Sequence, residues 1–121
     1  MKVGRPSRLI CAAALLLLGT LATFPAWVDD MRTVTVTATE FAFEPSRIEV
    51  DSGEPVRIRL RNEGALSHNI HIRGAEAHTR TVQAGSTSTV TVTPSDTGTL
   101  EFFCKVPGHE QAGMVGTLVV E

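Results

Sequence analysis

Four segments of the chain alternate apolar or β-branched residues with polar ones: residues 33–39 (TVTVTAT), 47–51 (RIEVD), 55–61 (PVRIRLR) and 87–93 (TSTVTVT). A period of two sends successive side chains to opposite faces, so each reads as a half-buried strand with a threonine-rich or charged outer face. The row Arg57, Arg59, Arg61 is then a solvated sheet face. Applied to residues 66–73, alternation groups Leu66, His68, Ile70 and Ile72 on one face and Asn69, His71 and Arg73 on the other. In residues 99–104 it groups Leu100, Phe102 and Cys104, with Glu101 facing out. A last strand follows at the C-terminal end. Turn residues cluster at 51–53, 62–64, 84–85 and 94–98. Helical periodicity is missing beyond the N-terminal apolar run, a single turn within 74–78 being the one short candidate. Strands at this spacing predict an all-β sandwich of seven or eight strands.

The N-terminal apolar run changes the picture. Residues 9–28 are rich in Leu and Ala and lie between Lys2, Arg5 and Arg8 on one side and Asp29 and Asp30 on the other. A basic flank before an apolar run reads as an export segment oriented positive-inside. Twenty residues are also about enough to span a bilayer, and the small-residue pattern of a cleavage site is weak, with Phe24 two positions before Ala26. Residues 1–28 are therefore read as a signal peptide or an N-terminal membrane anchor. Residues 29–121 form a single domain, expected in the periplasm or on the outer face of the cytoplasmic membrane, secreted or anchored. Cys11 stands at the start of the apolar run, the wrong place for lipid attachment.

Charge and cysteine count narrow the function. Of 11 Lys and Arg, three precede residue 29, leaving eight against 13 Asp and Glu, a net charge of −5 for the domain. That excess speaks against nucleic-acid binding. Beyond the leader Cys104 is the only cysteine, so an intramolecular disulfide is impossible in an oxidising compartment.

Cys104 opens the segment Cys104-Lys-Val-Pro-Gly-His109-Glu-Gln-Ala-Gly-Met114, which sets a thiol, an imidazole and a thioether in one short loop between two strands. Taken singly, each has an ordinary explanation: a buried Cys is commonly inert, Met fills gaps, and His after Pro-Gly is usually an exposed turn residue. Their coincidence points to a metal. Sulfur with imidazole selects copper or zinc over calcium and magnesium, and two His and one Cys with a long Met bond describe a blue-copper centre. The loop supplies three of these four, and His68, on an apolar face, is the best-placed second His. Zinc has little use for a thioether and prefers four Cys or His, or three protein ligands and water. A Cys/His nucleophile would need a cleft and an orienting third group on a larger scaffold.

From about residue 33 to residue 121 the chain resembles the small cupredoxins, the type 1 copper family of plastocyanin, azurin and rusticyanin. The resemblance rests on the Phe41-Ala-Phe43-Glu-Pro45 opening, the Gly53-Glu-Pro-Val56 turn, the Ser67-His68-Asn69 segment and the Cys104–Met114 loop. Four residues separate Cys104 from His109 and four separate His109 from Met114, longer than the plastocyanin loop and closer to that of rusticyanin. The resemblance implies a cupredoxin-like Greek-key sandwich. It also implies one copper held by His68, Cys104, His109 and Met114, Asn69 bracing the Cys loop by outer hydrogen bonds, and His109 as the ligand at the solvent edge. The implied function is transfer of single electrons between redox partner proteins, by a monomer that is not an enzyme. Copper delivery or sequestration at the cell envelope is the alternative. His71 and His78 are read as exposed surface histidines, because alternation faces His71 away from His68, with a second, exchangeable copper site as the alternative.

Overall fold

The structure is a computed structural model that describes residues 2–4, 19–23 and 31–121. Most of the apolar run read as an export segment, with Cys11, Asp29 and Asp30, lies outside the described residues. Nine strands follow: β1 (Arg32–Thr39), β2 (Ala42–Glu44), β3 (Arg47–Val50), β4 (Val56–Asn62), β5 (His71–Ile72), β6 (Ala77–His78), β7 (Thr87–Val92), β8 (Gly98–Phe103) and β9 (Val115–Val120). They form a four-stranded sheet in the order β2-β1-β4-β7 and a five-stranded sheet in the order β3-β9-β8-β5-β6. The β1–β4 and β3–β9 pairs are parallel and the others antiparallel.

Alternation decides which way each strand faces. Val36 and Ala38 of β1, Val56, Ile58 and Leu60 of β4, and Val90 and Val92 of β7 turn inward. They meet Ile48, Val50, Ile72, Phe102, Leu118 and Val120 from the other sheet. Phe43 and Phe102 join the layers, with ring centroids 5.4 Å apart. Gly116 makes room for this contact: a Cβ there would fall 2.1 Å from Cζ of Phe102. Outside, each arginine of the β4 row lies between threonines of both neighbouring strands, Arg59 between Thr35 and Thr89.

The strand count exceeds the expected seven or eight because residues 71–78 fold into a two-rung hairpin, β5–β6, around a turn. The turn expected within 74–78 is the tip of that hairpin and not a helical turn. Residues 66–70 also depart from the expected strand. His68 makes only an isolated antiparallel bridge to Val82, and Leu66, placed on the core face by alternation, is exposed. The cause is Asn62, a fully buried amide at the end of β4. Its Nδ2 donates to the carbonyls of Leu66 (2.8 Å) and Val82 (3.0 Å), and its Oδ1 accepts the Gly64 N–H (2.9 Å). These bonds bend residues 63–67 into a loop and take up a backbone carbonyl that a strand would use.

The sandwich therefore has two unlike ends. At one, β1 runs out into Glu40 and Phe41, β4 into the loop before His68, and β8 into Cys104, while β9 starts after Met114. At the other, the 51–53 turn is tied by backbone bonds from Ser52 to Glu121, Gly53 to Pro94 and Glu121 to Val50.

Candidate metal centre

Three donor atoms converge at the first of these ends. Those of His68, Cys104 and His109 all lie within 4.8 Å of one another, and all three residues are buried. Cys104 Sγ is 4.0 Å from Nδ1 of His68 and 3.5 Å from Nδ1 of His109. The imidazole rings are 5.0 Å apart, both presenting Nδ1 to the sulfur. Met114 is fully buried and is tied to two of these residues through its backbone: its carbonyl accepts the Cys104 N–H (3.1 Å) and its N–H donates to the His109 carbonyl (3.1 Å).

Each donor is anchored by its element. His68 is pinned by reciprocal backbone bonds with Val82 (3.1 and 2.9 Å). Cys104 follows the last residue of β8, and the next N–H, of Lys105, donates to Oδ1 of Asn69 at 2.7 Å. Asn69 in turn donates to Thr81 Oγ1 at 2.9 Å, so the His68 segment and the Cys104 loop are fastened side by side. Asn69 lies on the face opposite His68, as alternation has it, yet it is buried by these contacts. His109 stands in a compact turn, its N–H donating to Val106 O at 3.0 Å. It is 7% exposed against 0% for His68, which makes it the imidazole nearer solvent.

Two neighbours complete the surroundings, and sequence reasoning assigned neither to the site. Phe41 has φ of 63°, an uncommon conformation for a bulky residue, and sets its ring edge-on to His109 at 5.2 Å. Phe41 is itself 42% exposed, so an apolar ring lies over the imidazole of the cluster that is nearer the surface. Glu40 stands behind His68, its Oε1 3.8 Å from Nε2. The carboxylate accepts the N–H groups of Ala65 (2.6 Å) and Leu66 (3.0 Å). These backbone donors, Leu66 first, hold its pKa below the usual 4.5. The approach depends on Gly64, where a Cβ would fall 2.5 Å from Glu40 Oε1 and 3.0 Å from His68 Nε2. A glutamate after an alternating strand reads as solvated, so the sequence carries no local signal of this contact.

The arrangement suits a metal better than a proton. Burial, then the neighbouring His109, lowers the pKa of His68 below its ordinary 6.5, against the opposing pull of Glu40. His68 is thus held neutral, the form that ligates. Its Nε2 is the one buried side-chain N or O atom without a hydrogen-bond partner among the described residues. A neutral ring that gives its Nδ1 lone pair to an ion carries its proton on Nε2, and Glu40 supplies a carboxylate on that side, the usual outer partner of a ligating histidine. Two nitrogens, one sulfur and a buried thioether-bearing residue form a donor set for a soft or borderline ion, with copper the best match.

Known proteins share this architecture. The cupredoxin-like domain family matches residues 9–120. No curated protein matches the chain. Among solved structures, dithionite-reduced auracyanin from the photosynthetic bacterium Roseiflexus castenholzii has a TM-score of 0.68 at 24% identity, covering 74% of this chain and 96% of that one, a likeness of fold. Auracyanin B has a TM-score of 0.69 at 25% identity, over 74% of this chain and 88% of its own. Auracyanin A of the green thermophilic photosynthetic bacterium Chloroflexus aurantiacus, described as a "blue" copper protein, has a TM-score of 0.63 at 28% identity, over 74% and 99%. With a family match that runs through every strand of both sheets and the whole loop from Cys104 to Met114, the chain belongs to the cupredoxin-like domain family.

Proposed function

We propose that this protein is a type 1 (blue) copper electron carrier that works outside the cytoplasm, passing single electrons between redox partner proteins. The observation that carries the reading is the buried convergence of His68 Nδ1, Cys104 Sγ and His109 Nδ1 at one end of a rigid sandwich. These three, with the buried Met114, are the residues that would hold the copper ion, two through imidazole nitrogens and two through sulfur. When bound, a single copper ion supplies a one-electron couple between Cu(I) and Cu(II). The chain's part is to hold its donors still. His68 is fixed by Val82 and backed by Glu40, Cys104 is fastened through Asn69 and Met114, and His109 is locked in its turn. Donors that do not move between oxidation states limit reorganisation, which favours transfer of electrons over transfer of copper. His109 under Phe41 is the route to the surface. The auracyanins it resembles support the blue-copper reading, and the export segment read in residues 9–28 supports a place in the periplasm or on the outer face of the membrane.

The test is an absorption spectrum of the purified protein with Cu(II). An intense blue thiolate charge-transfer band is expected, and Cys104→Ser abolishes it. A colourless Cu(II) complex of the intact protein would refute the type 1 assignment. On the same sample, electron self-exchange should be fast and copper loss to a competing chelator slow; the reverse would favour copper delivery.

A further inference from the structure

A second pair of imidazoles stands on the outer face of the five-stranded sheet. His71 of β5 and His78 of β6 are directly opposed in the hairpin, their rings stacked with centroids 4.8 Å apart and planes 12° from parallel. The next rung is the hydrogen-bonded one, where the Thr79 N–H donates to the Ile70 carbonyl at 2.9 Å. The 71–78 rung is thus of the non-hydrogen-bonded kind, in which facing side chains come closest. His71 also faces Phe103 across β8, with ring centroids 5.8 Å apart, on the side of the sheet away from buried Cys104.

The chemistry of the pair is that of a ligand. His78 Nδ1 lies 3.0 Å from the carbonyl of Thr79. A carbonyl only accepts, so Nδ1 carries a hydrogen, and the tautomer that ligates a metal with this bond in place does so through Nε2. A carbonyl on the far nitrogen is how ligating histidines are commonly oriented. Burial, with His78 and Lys105 nearby, keeps the pKa of His71 below 6.5 and its ring neutral. The same shallow hollow is lined by Glu76, Arg73 and Lys105. The charge of Arg73 is already met by Glu110 at 2.5 Å and Glu101 at 3.2 Å, and its guanidinium lies over Phe103. Lys105 is the opposing charge, and it sets a limit on affinity.

We propose that His71 and His78 form a second, exchangeable site for a borderline divalent transition metal, Cu(II) in preference to Ni(II) and Zn(II), with water completing the coordination. Metal–nitrogen bonds of about 2.0–2.1 Å need two donors within reach of one ion, which facing side chains on a non-hydrogen-bonded rung provide. Both side chains are at least partly open to solvent and can rotate towards a shared ion. Copper leads because imidazole sites follow the Irving–Williams order. No thiol is present here, so the complex is not intensely coloured, and two open ligands let the ion come and go.

The experiment uses the full chain already loaded with one equivalent of copper. A second equivalent of Cu(II) should give a new, nitrogen-coupled axial electron paramagnetic resonance signal while the blue band stays unchanged. His71→Ala and His78→Ala, both at partly open positions that leave the core intact, should each weaken that second binding by about tenfold or more, since losing a ligand costs at least as much as losing an outer partner. A second ion that fails to bind the unsubstituted protein, or that binds either variant as tightly as the unsubstituted protein, overturns the proposal. Failure of the type 1 reading would show separately, as absence of blue colour after the first equivalent.

Discussion

Glu40 is the carboxylate that faces the outer nitrogen of His68. Its carboxylate bears a negative charge 3.8 Å from Nε2, and that charge favours Cu(II) over Cu(I) at the far nitrogen. Glu40→Gln keeps the size and the carbonyl that accepts the Ala65 and Leu66 N–H groups while removing the charge. The reduction potential should rise by on the order of 100 mV for a one-electron couple, taking an effective dielectric of about 20 and a charge about 8 Å from the ion. Voltammetry of the copper-loaded variant checks this, and an unchanged potential would show that the charge is not felt at the site. The convergence of His68, Cys104 and His109 was legible because soft donor types crowd a short loop and one apolar face. Glu40 and Phe41 were not, because their roles come from a tertiary approach, through Gly64 in one case and a left-handed backbone in the other.

At the scale of elements, alternation was a reliable guide along β1, β4 and β7, which pair with one another over long continuous ladders. It was a poorer guide at residues 66–70, because the Asn62 amide supplies bonds that a period-two pattern does not encode. The alternating run still set His68 apart from His71, since even a single bridge to Val82 fixes the facing of one residue. The packing of β9 on β8 offers a test. Gly116→Val would drive a branched side chain into the Phe102 ring, and overpacking of this kind costs about 1–3 kcal/mol. A lowered denaturation midpoint of the metal-free protein, with a disturbed blue band after copper is added, is the expected outcome. Wild-type stability in the variant would mean that Phe102 moves aside freely.

For the whole molecule, the site couples folding to pH. His68 has a lower pKa folded than unfolded, so the unfolded chain takes up this proton first as the pH falls. The stabilisation from the neutral ring is present above about 6.5 and is lost as the pH drops through the folded value. His71 shifts in the same direction and adds to the effect. Thermal melts of the metal-free protein should therefore show falling stability below about pH 6.5, whereas copper, which binds the folded state, should hold the midpoint up to lower pH. A flat profile for the metal-free protein would contradict the shift at His68. The unlike ends of the sandwich carry one last consequence. Arg32 begins β1 beside Glu49, to whose carbonyl its guanidinium donates, and Glu121 closes β9 at the same end. The eight residues of β1 then cover roughly 25 Å, at about 3.3 Å each, before the chain reaches Glu40 and Phe41. Whatever is joined ahead of Arg32, whether a lipid-embedded segment, a fusion partner or an electrode linker, holds the molecule by its base. His109 beneath Phe41 then lies at the end of the molecule farthest from the tether, which leaves that end clear.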